Sequence, residues 1–438
     1  MMNMLWSLGL LALPYLVQVD PDQQVQLNRT ISEVHAATGW YVMELTPNEA
    51  RALQHTSGVR AVVPDRKVAL LYQPTDPLWT QHYQWDLWML HLDSLWNLTR
   101  GAATVRVGMV DQGVDYTHPD LQAAYQGGRD YIDGDAFPIP ADSNEWHGTH
   151  VAGVMVATHN NGGMAGIAPG VRLYAVRAFA SDSGRTSDIV RGIYWLVDTA
   201  GVRVINLSLG TSSPDAAFQS AVQYARQQGV LVVAATGNDG TQGVYYPARY
   251  PEVVGVGAVD SLGRPADFSN WGEGLDVLAP GTWIPSTYPC TPAGCGYVYA
   301  SGTSMAAPHV AGVAALLLSL DPSLTPDQLH TLLRRGALDQ NALGPDPRTG
   351  WGLLDAWWTW LAHTPGGPVV LQGTAVARNG RLAMDLPGGT TYRLLDPTGR
   401  VLREGRWVRN LPLFRALPQG MYLLVLPAQH RTVRVLNP

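Results

Sequence analysis

Three short segments of the 438-residue chain carry the residue types of nucleophilic acyl transfer. In Gly108–Val114 an apolar run ends on Asp111. In His147–Gly153, His147 stands at the start of a helical pattern. In Gly302–Gly312, Ser304 opens a long Ala- and Leu-rich run. A serine hydroxyl is a poor nucleophile at neutral pH and needs a base. An imidazole can take its proton and later return it to a leaving amine. A carboxylate beside the imidazole fixes its tautomer and stabilises the imidazolium. Small residues flank Ser304, so a substrate backbone can come close, and a helix starting there aims N–H groups at a reacting carbonyl. Taken singly, Asp111 could be a strand-end turn acid, His147 a helix-start histidine and Ser304 an N-cap. The three together make a catalytic set.

The elements that must position them follow from pattern. Val105–Val110, Val171–Val176, Val202–Leu207 and Leu231–Ala235 are apolar runs of strand length. Ser187–Val197, Asp215–Gln227 and Ser304–Leu320 have helical spacing. Short apolar strands alternating with helices predict a parallel sheet covered on both faces. Active sites in such folds lie at the carboxyl ends of the strands.

The order Asp, His, Ser and the wording of the three segments resemble the subtilisin family of serine peptidases. The likeness covers roughly Asp76 to Ala362. It implies a three-layer α/β fold and a secreted endopeptidase working through an acyl-enzyme. It implies the triad Asp111, His147 and Ser304, with the Asn238 side-chain amide and the Ser304 N–H forming the oxyanion hole. Ser208, Leu209 and Gly210 match the family's substrate-pairing strand, and Ala235, Thr236 and Gly237 the opposite wall of the pocket. Tyr245 stands where many relatives have Gly or Ser at the pocket base, so a narrowed pocket is expected. Structural calcium is implied at Asp120 and Asp76, with Asn160 and the carbonyls of Thr158, Gly162 and Met164 completing an oxygen shell. His150 and His309 fall in the motifs as packing residues. One departure is Gln112, where the family usually has Ser or Thr after the catalytic Asp.

The flanks carry further expectations. Residues 1–14 read as a signal peptide: an apolar run too short to span a membrane, without a basic residue before it. Residues 15–72 contain Tyr41–Leu45 and Val59–Val63, which alternate like strands. Thr46–Ala50 is a helix start with an N-cap candidate, Pro47 and Glu49. This block resembles the inhibitory propeptide of subtilisins, best at Ala61–Arg66. It is expected to inhibit its own peptidase domain and to be cut after Tyr72, at a Pro-rich joint. Tyr15–Val19 could belong to the signal or to a first strand. Residues 73–363 are the expected peptidase domain. Residues 366–438 read as short strands split by turns and resemble the sorting domain of type IX secretion cargo, best at Tyr392–Arg400 and Leu417–Leu424. A generic surface- or carbohydrate-binding β-module is the other reading.

Bulk properties add little. The chain is 46% hydrophobic and 15% charged with a net charge of -6, so it can bury a large core and gives no reason to expect a nucleic-acid partner. Lys67 is the only lysine. Cys290 and Cys295 lack companions for zinc; they form a small loop disulfide or remain two thiols. A monomer acting on proteins or peptides outside the cell or at its surface is expected. The rivals are a pseudoenzyme that only binds peptides, and a processor dedicated to one partner.

Overall fold

The computed structural model describes residues 13–20, 30–35, 39–64, 72–340 and 344–363, together with six strands between 370 and 437. The expected signal run through residue 12, the segment 65–71 before the expected cut, and most of the turns after 363 lie outside the described residues. The chain divides into two compact units, 1–71 and 72–438.

The first unit is a four-stranded antiparallel sheet with one helix. Its order is Thr30–His35, Trp40–Leu45, Leu13–Val19 and Val59–Pro64. Leu13–Val19 is therefore an interior strand, with Val17 and Val19 buried. The helix Pro47–Leu53 begins on a capping box: Thr46 accepts from the Glu49 N–H, and Glu49 accepts from the Thr46 N–H at 2.7 Å.

The second unit holds a seven-stranded sheet. Its strands are β1 (Arg106–Asp111), β2 (Tyr125–Asp130), β3 (Arg172–Arg177), β4 (Val204–Leu207), β5 (Leu231–Ala235), β6 (Val253–Val259) and β7 (Val277–Pro280). The order is β7-β6-β5-β4-β1-β3-β2, and every pairing is parallel. Burial on both faces explains the continuous apolar runs. Val107, Met109, Val204, Leu231 and Val233 face one core with α1 (His147–Val156) and α4 (Thr303–Leu320). Val110, Ile205, Val232 and Ala234 face the other, with α2 (Thr186–Trp195) and α3 (Ala216–Gln227). Asp215 caps α3, accepting from the Ala217 and Phe218 N–H groups. The expected strands and helices are all present, within two residues at either end. Helix α4 is long and apolar enough to cross a membrane, but its side chains form the centre of the core.

Strand order reverses between β1 and β4, which diverge from neighbouring positions. Asp111 ends β1 and Ser208 follows β4, so both stand in the crevice that such a reversal opens. Beyond β7, the hairpin Ile284–Thr291 and Gly294–Ala300 leads into α4, and its tip is closed by the Cys290–Cys295 disulfide. Helix α4 carries Pro308 in its second turn. After residue 363 the described residues form a separate six-stranded sheet, antiparallel except where Val370–Arg378 meets Arg431–Asn437.

Candidate active site

Asp111 is buried at the end of β1, and His147 is the first residue of α1. They meet because residue 148 is glycine: a Cβ there would stand 2.1 Å from the Gly113 carbonyl oxygen and 3.1 Å from Asp111 Oδ1. The His147 Nδ1–Asp111 Oδ1 hydrogen bond is 2.8 Å. The Gln112 N–H donates to the same oxygen at 2.8 Å, while Asp111 Oδ2 is buried with no partner. Burial disfavours the imidazolium, but the charge of Asp111, its hydrogen bond and the charge of Asp182 outweigh it and hold the His147 pKa above its ordinary value. Nearby His150 is sealed in the core, and burial with His147 alongside pushes its pKa down to about 3, so it stays neutral.

The start of α1 is braced by an ion cluster centred on the buried Arg177. Arg177, at the end of β3, contacts Asp130 at 3.0 Å, Asp133 at 2.7 Å and Glu145 at 2.9 Å. Glu145 also accepts from the Ser181 N–H at 2.9 Å. Gln112 bridges the same elements: its Oε1 accepts from the His147 N–H at 3.2 Å, and its Nε2 donates to the Ser181 carbonyl at 2.6 Å. The longer amide thus spans two loops that a Ser or Thr could not join.

Ser304 lies in the first turn of α4 beside β4. Its hydroxyl donates to the Ser208 carbonyl at 3.2 Å, and the Ser208 hydroxyl donates to the Ser304 carbonyl at 2.7 Å. Among the described residues no hydrogen bond joins His147 to Ser304; catalytic bonds commonly tighten only once substrate is present. Asn238 Oδ1 accepts from the Thr303 N–H at 2.8 Å and the Thr303 hydroxyl at 2.9 Å. Its oxygen is thereby used, and its Nδ2 is left as the donor.

Leu209, Gly210, Ala235, Gly237, Asn238, Tyr245 and Ser304 line one cleft together. Tyr245 sits between its walls: a Cβ on Gly210 would be 3.1 Å from Tyr245 Cβ, and one on Gly237 3.1 Å from its Cγ. A hydrogen bond to Asp239 raises the Tyr245 hydroxyl pKa, with desolvation adding to it. The Thr236 side chain is fully buried, and its carbonyl accepts from the Tyr245 N–H at 2.9 Å. A second cleft joins Asp111, Gln112, His147 and Ser208 to Phe179 and Asp182. Sequence reading missed those last two, although they follow β3 at its carboxyl end, where such folds place sites.

The residues expected at a cation also converge. Asp76 and Asp120 are both fully buried. The Asn160 N–H donates to Asp76 Oδ1 at 3.2 Å, Asn160 Nδ2 to Asp120 Oδ1 at 3.0 Å, and the Met164 N–H to Asp120 Oδ2 at 3.1 Å. Asp76 Oδ2 has no partner. Burial, with Asp120 adding to it, pushes the Asp76 carboxyl above the usual range despite the N–H bonds it accepts. Among the described residues no donor reaches the carbonyl oxygens of Thr158, Gly162 or Met164. No group of three or more His, Cys, Asp or Glu side chains is placed to hold a metal among them. The donor set is oxygen-only and rich in carbonyls, which suits calcium and not zinc.

The model of the subtilase family, Peptidase_S8, matches residues 102–352. The chain belongs to the subtilase family. It is 39% identical over 315 residues to an alkaline protease of Shouchella clausii, covering 72% of this chain and 77% of that one. It is 42% identical over 277 residues to subtilisin Savinase of Lederbergia lenta, 63% of this chain and 98% of the relative. A thermophilic serine proteinase of Bacillus sp. (strain AK1) is 43% identical over 271 residues, 61% of this chain and 65% of the relative. A protease of Pseudoalteromonas arctica with a solved structure superposes with a TM-score of 0.61 at 33% identity, covering 67% of this chain and all of that one. This subtilase is a subtilisin-like serine endopeptidase acting on protein substrates, with the fold of that family.

Proposed function

We propose that the subtilase is exported as a zymogen that processes itself, and that Asp111, His147 and Ser304 are its triad. The observation that supports this most is the 2.8 Å His147–Asp111 bond at the strand-order reversal, beside Ser304 at the head of α4. His147 Nε2 takes the Ser304 hydroxyl proton as Oγ adds to the scissile carbonyl. Asn238 Nδ2 and the Ser304 N–H receive the oxyanion, a contribution of roughly 10²–10³ in turnover per donor. His147 passes the proton to the leaving amine, leaving an acyl-Ser304 ester. Water then repeats the steps and frees the acid.

Residues 15–72 act as an intramolecular inhibitor cut after Tyr72, residues 73–363 form the peptidase domain, and residues 1–14 direct export. The β-region from 366 serves sorting of the type IX kind or attachment to a surface. Tyr15–Val19 belongs to the propeptide sheet, in keeping with the interior place of its strand there. Asp76, Asp120, Asn160 and the carbonyls of Thr158, Gly162 and Met164 hold a structural calcium ion, which neutralises the two buried carboxylates.

Ser304→Ala is expected to lower turnover by about 10⁵–10⁶ and to leave the precursor uncut at Tyr72. Normal self-maturation of that variant, followed by N-terminal sequencing, would reject the triad. Tyr245 narrows the pocket for the residue before the cut, so the mature enzyme favours Ala, Leu or Met there over Phe and Tyr. The cut after Tyr72 is tolerated because it is intramolecular, at high effective concentration. Tyr245→Gly is expected to shift preference toward aromatics on a peptide library; an unchanged profile would remove Tyr245 from the pocket.

A further inference from the structure

Trp283 is left 68% exposed, although burying an indole is strongly favourable. Its φ is +53°, a left-handed conformation that bulky residues rarely adopt. Exposure and strain together are what a packing role would have removed, and such outliers concentrate at functional sites. The backbone around the ring is held at three points. The Trp283 N–H donates to Ser301 Oγ at 2.8 Å, Trp85 Nε1–H donates to the Trp283 carbonyl at 3.4 Å, and the Gly302 N–H donates to the Gly281 carbonyl at 2.8 Å. The ring stands 6.4 Å from that of Tyr299 at 60°, and Tyr299 is itself 44% exposed.

These ties fix Trp283 next to the turn that delivers Ser304. Gly302 separates two sides of that turn. On one side is Asn238, whose Nδ2 is 3.4 Å from where a Gly302 Cβ would stand; on the other is Gly281. The clefts that open from Ser208–Gly210, Ala235, Gly237 and Tyr245 include neither the 281–283 loop nor Tyr299. Trp283, through its bond to Ser301, and Tyr299 are thereby tied to the segment that leads into Ser304, outside the acyl-side clefts.

We propose that Trp283, backed by Tyr299, is a specificity-determining contact for the leaving side of the substrate, packing against an apolar or aromatic side chain one to three residues past the cut. The inference rests on the endopeptidase reading of Ser304. The bond to Ser301, three residues before Ser304, and the separation from the acyl-side clefts favour the leaving side as the occupant, and a rigid aromatic face loses little conformational freedom when it is covered.

The test uses mature enzyme and internally quenched peptides with one fixed acyl side and Phe, Leu, Ser or Gly at each of three positions past the cut. The wild type is expected to prefer Phe or Leu over Gly by about tenfold in kcat/KM at one of them. Trp283→Asn removes the ring while keeping a residue that tolerates positive φ, and is expected to bring that ratio close to one. Trp283→Phe is expected to retain most of it. No wild-type preference at any position, or an undiminished ratio in Trp283→Asn, overturns the inference. Hydrolysis of a peptide anilide, which has no residue past the cut, checks Ser304 chemistry separately. A wild type inactive on the anilide and on every peptide would instead overturn the peptidase reading.

Discussion

Of the histidine–aspartate pairs among the described residues, two lie in neighbourhoods connected by one helix, α4. His147 and Asp111 meet at 2.8 Å; His309 and Asp86 meet at 3.0 Å. Chemically the pairs are alike, but their surroundings differ. The His147 side chain keeps 25% of its surface accessible and bonds Asp111 through Nδ1, leaving Nε2 facing the cleft. The His309 side chain is fully buried, with Nε2 on Asp86 and Nδ1 on the Met305 carbonyl. No nitrogen of His309 remains to exchange a proton with anything. A histidine–carboxylate contact is thus no mark of catalysis by itself; what sets the His147 pair apart is a second nitrogen left open in the cleft that also holds Ser208, at the strand-order reversal.

The comparison breaks if the two acids can be removed with the same result. Asp111→Asn is expected to lower kcat about 10⁴-fold, by favouring the wrong imidazole tautomer, with little change in melting temperature. Asp86→Ala is expected to do the reverse. It strands a buried partner, costs about 3–5 kcal/mol of stability, and leaves kcat of the folded enzyme unchanged. Kinetics and thermal unfolding of both variants decide; a turnover loss in Asp86→Ala of the size seen in Asp111→Asn would end the distinction.

Asp120 sharpens it further, as a buried acid beside Asp76, whose Oδ2 has no partner, so that the pair of carboxylates is expected to call for a cation. Chelation, or Asp120→Ala, is expected to speed thermal inactivation while initial turnover holds. Calcium at a hundredfold its Kd is expected to restore about 2.7 kcal/mol to the wild type. An inactivation rate independent of calcium would remove the ion from the account.

The smallest effect concerns the proton on His147. With His147 as the proposed base, only its neutral imidazole can act, so kcat/KM is expected to rise with pH through the His147 pKa. Burial lowers that pKa, Asp111 raises it more, and Asp182 raises it further. Asp182→Asn is expected to move the rising limb to lower pH, and less so at high salt. A limb that stays in place, or moves up, would show that Asp182 does not act on His147 through its charge.

What the sequence showed and what it hid divide along range. The segments around Asp111, His147 and Ser304 are local strings, and the alternation of apolar strands with helices is local periodicity, so fold and site could both be anticipated. The Thr46–Glu49 capping box was equally visible, being closed within four residues. Leu13–Val19 stayed ambiguous because an apolar run close to the N-terminus reads alike as a signal and as an interior strand; pairing on both sides is what distinguishes them. Long-range partners left no trace. Asp86 reaches His309 across 223 positions, and Tyr297 donates to Asp120 across 177. Nothing in Thr282-Trp283-Ile284 announces a left-handed tryptophan, since the conformation is imposed by Ser301 and Trp85.

The proline inside α4 has a consequence of its own. Residue 308 is four positions after Ser304, so in an unbroken helix its N–H would bond the Ser304 carbonyl. Proline has none, and that carbonyl instead accepts the Ser208 hydroxyl. The gap in the helical ladder works as a socket. It docks the strand proposed to meet the substrate onto the serine proposed to attack it, and so holds the two in a common position.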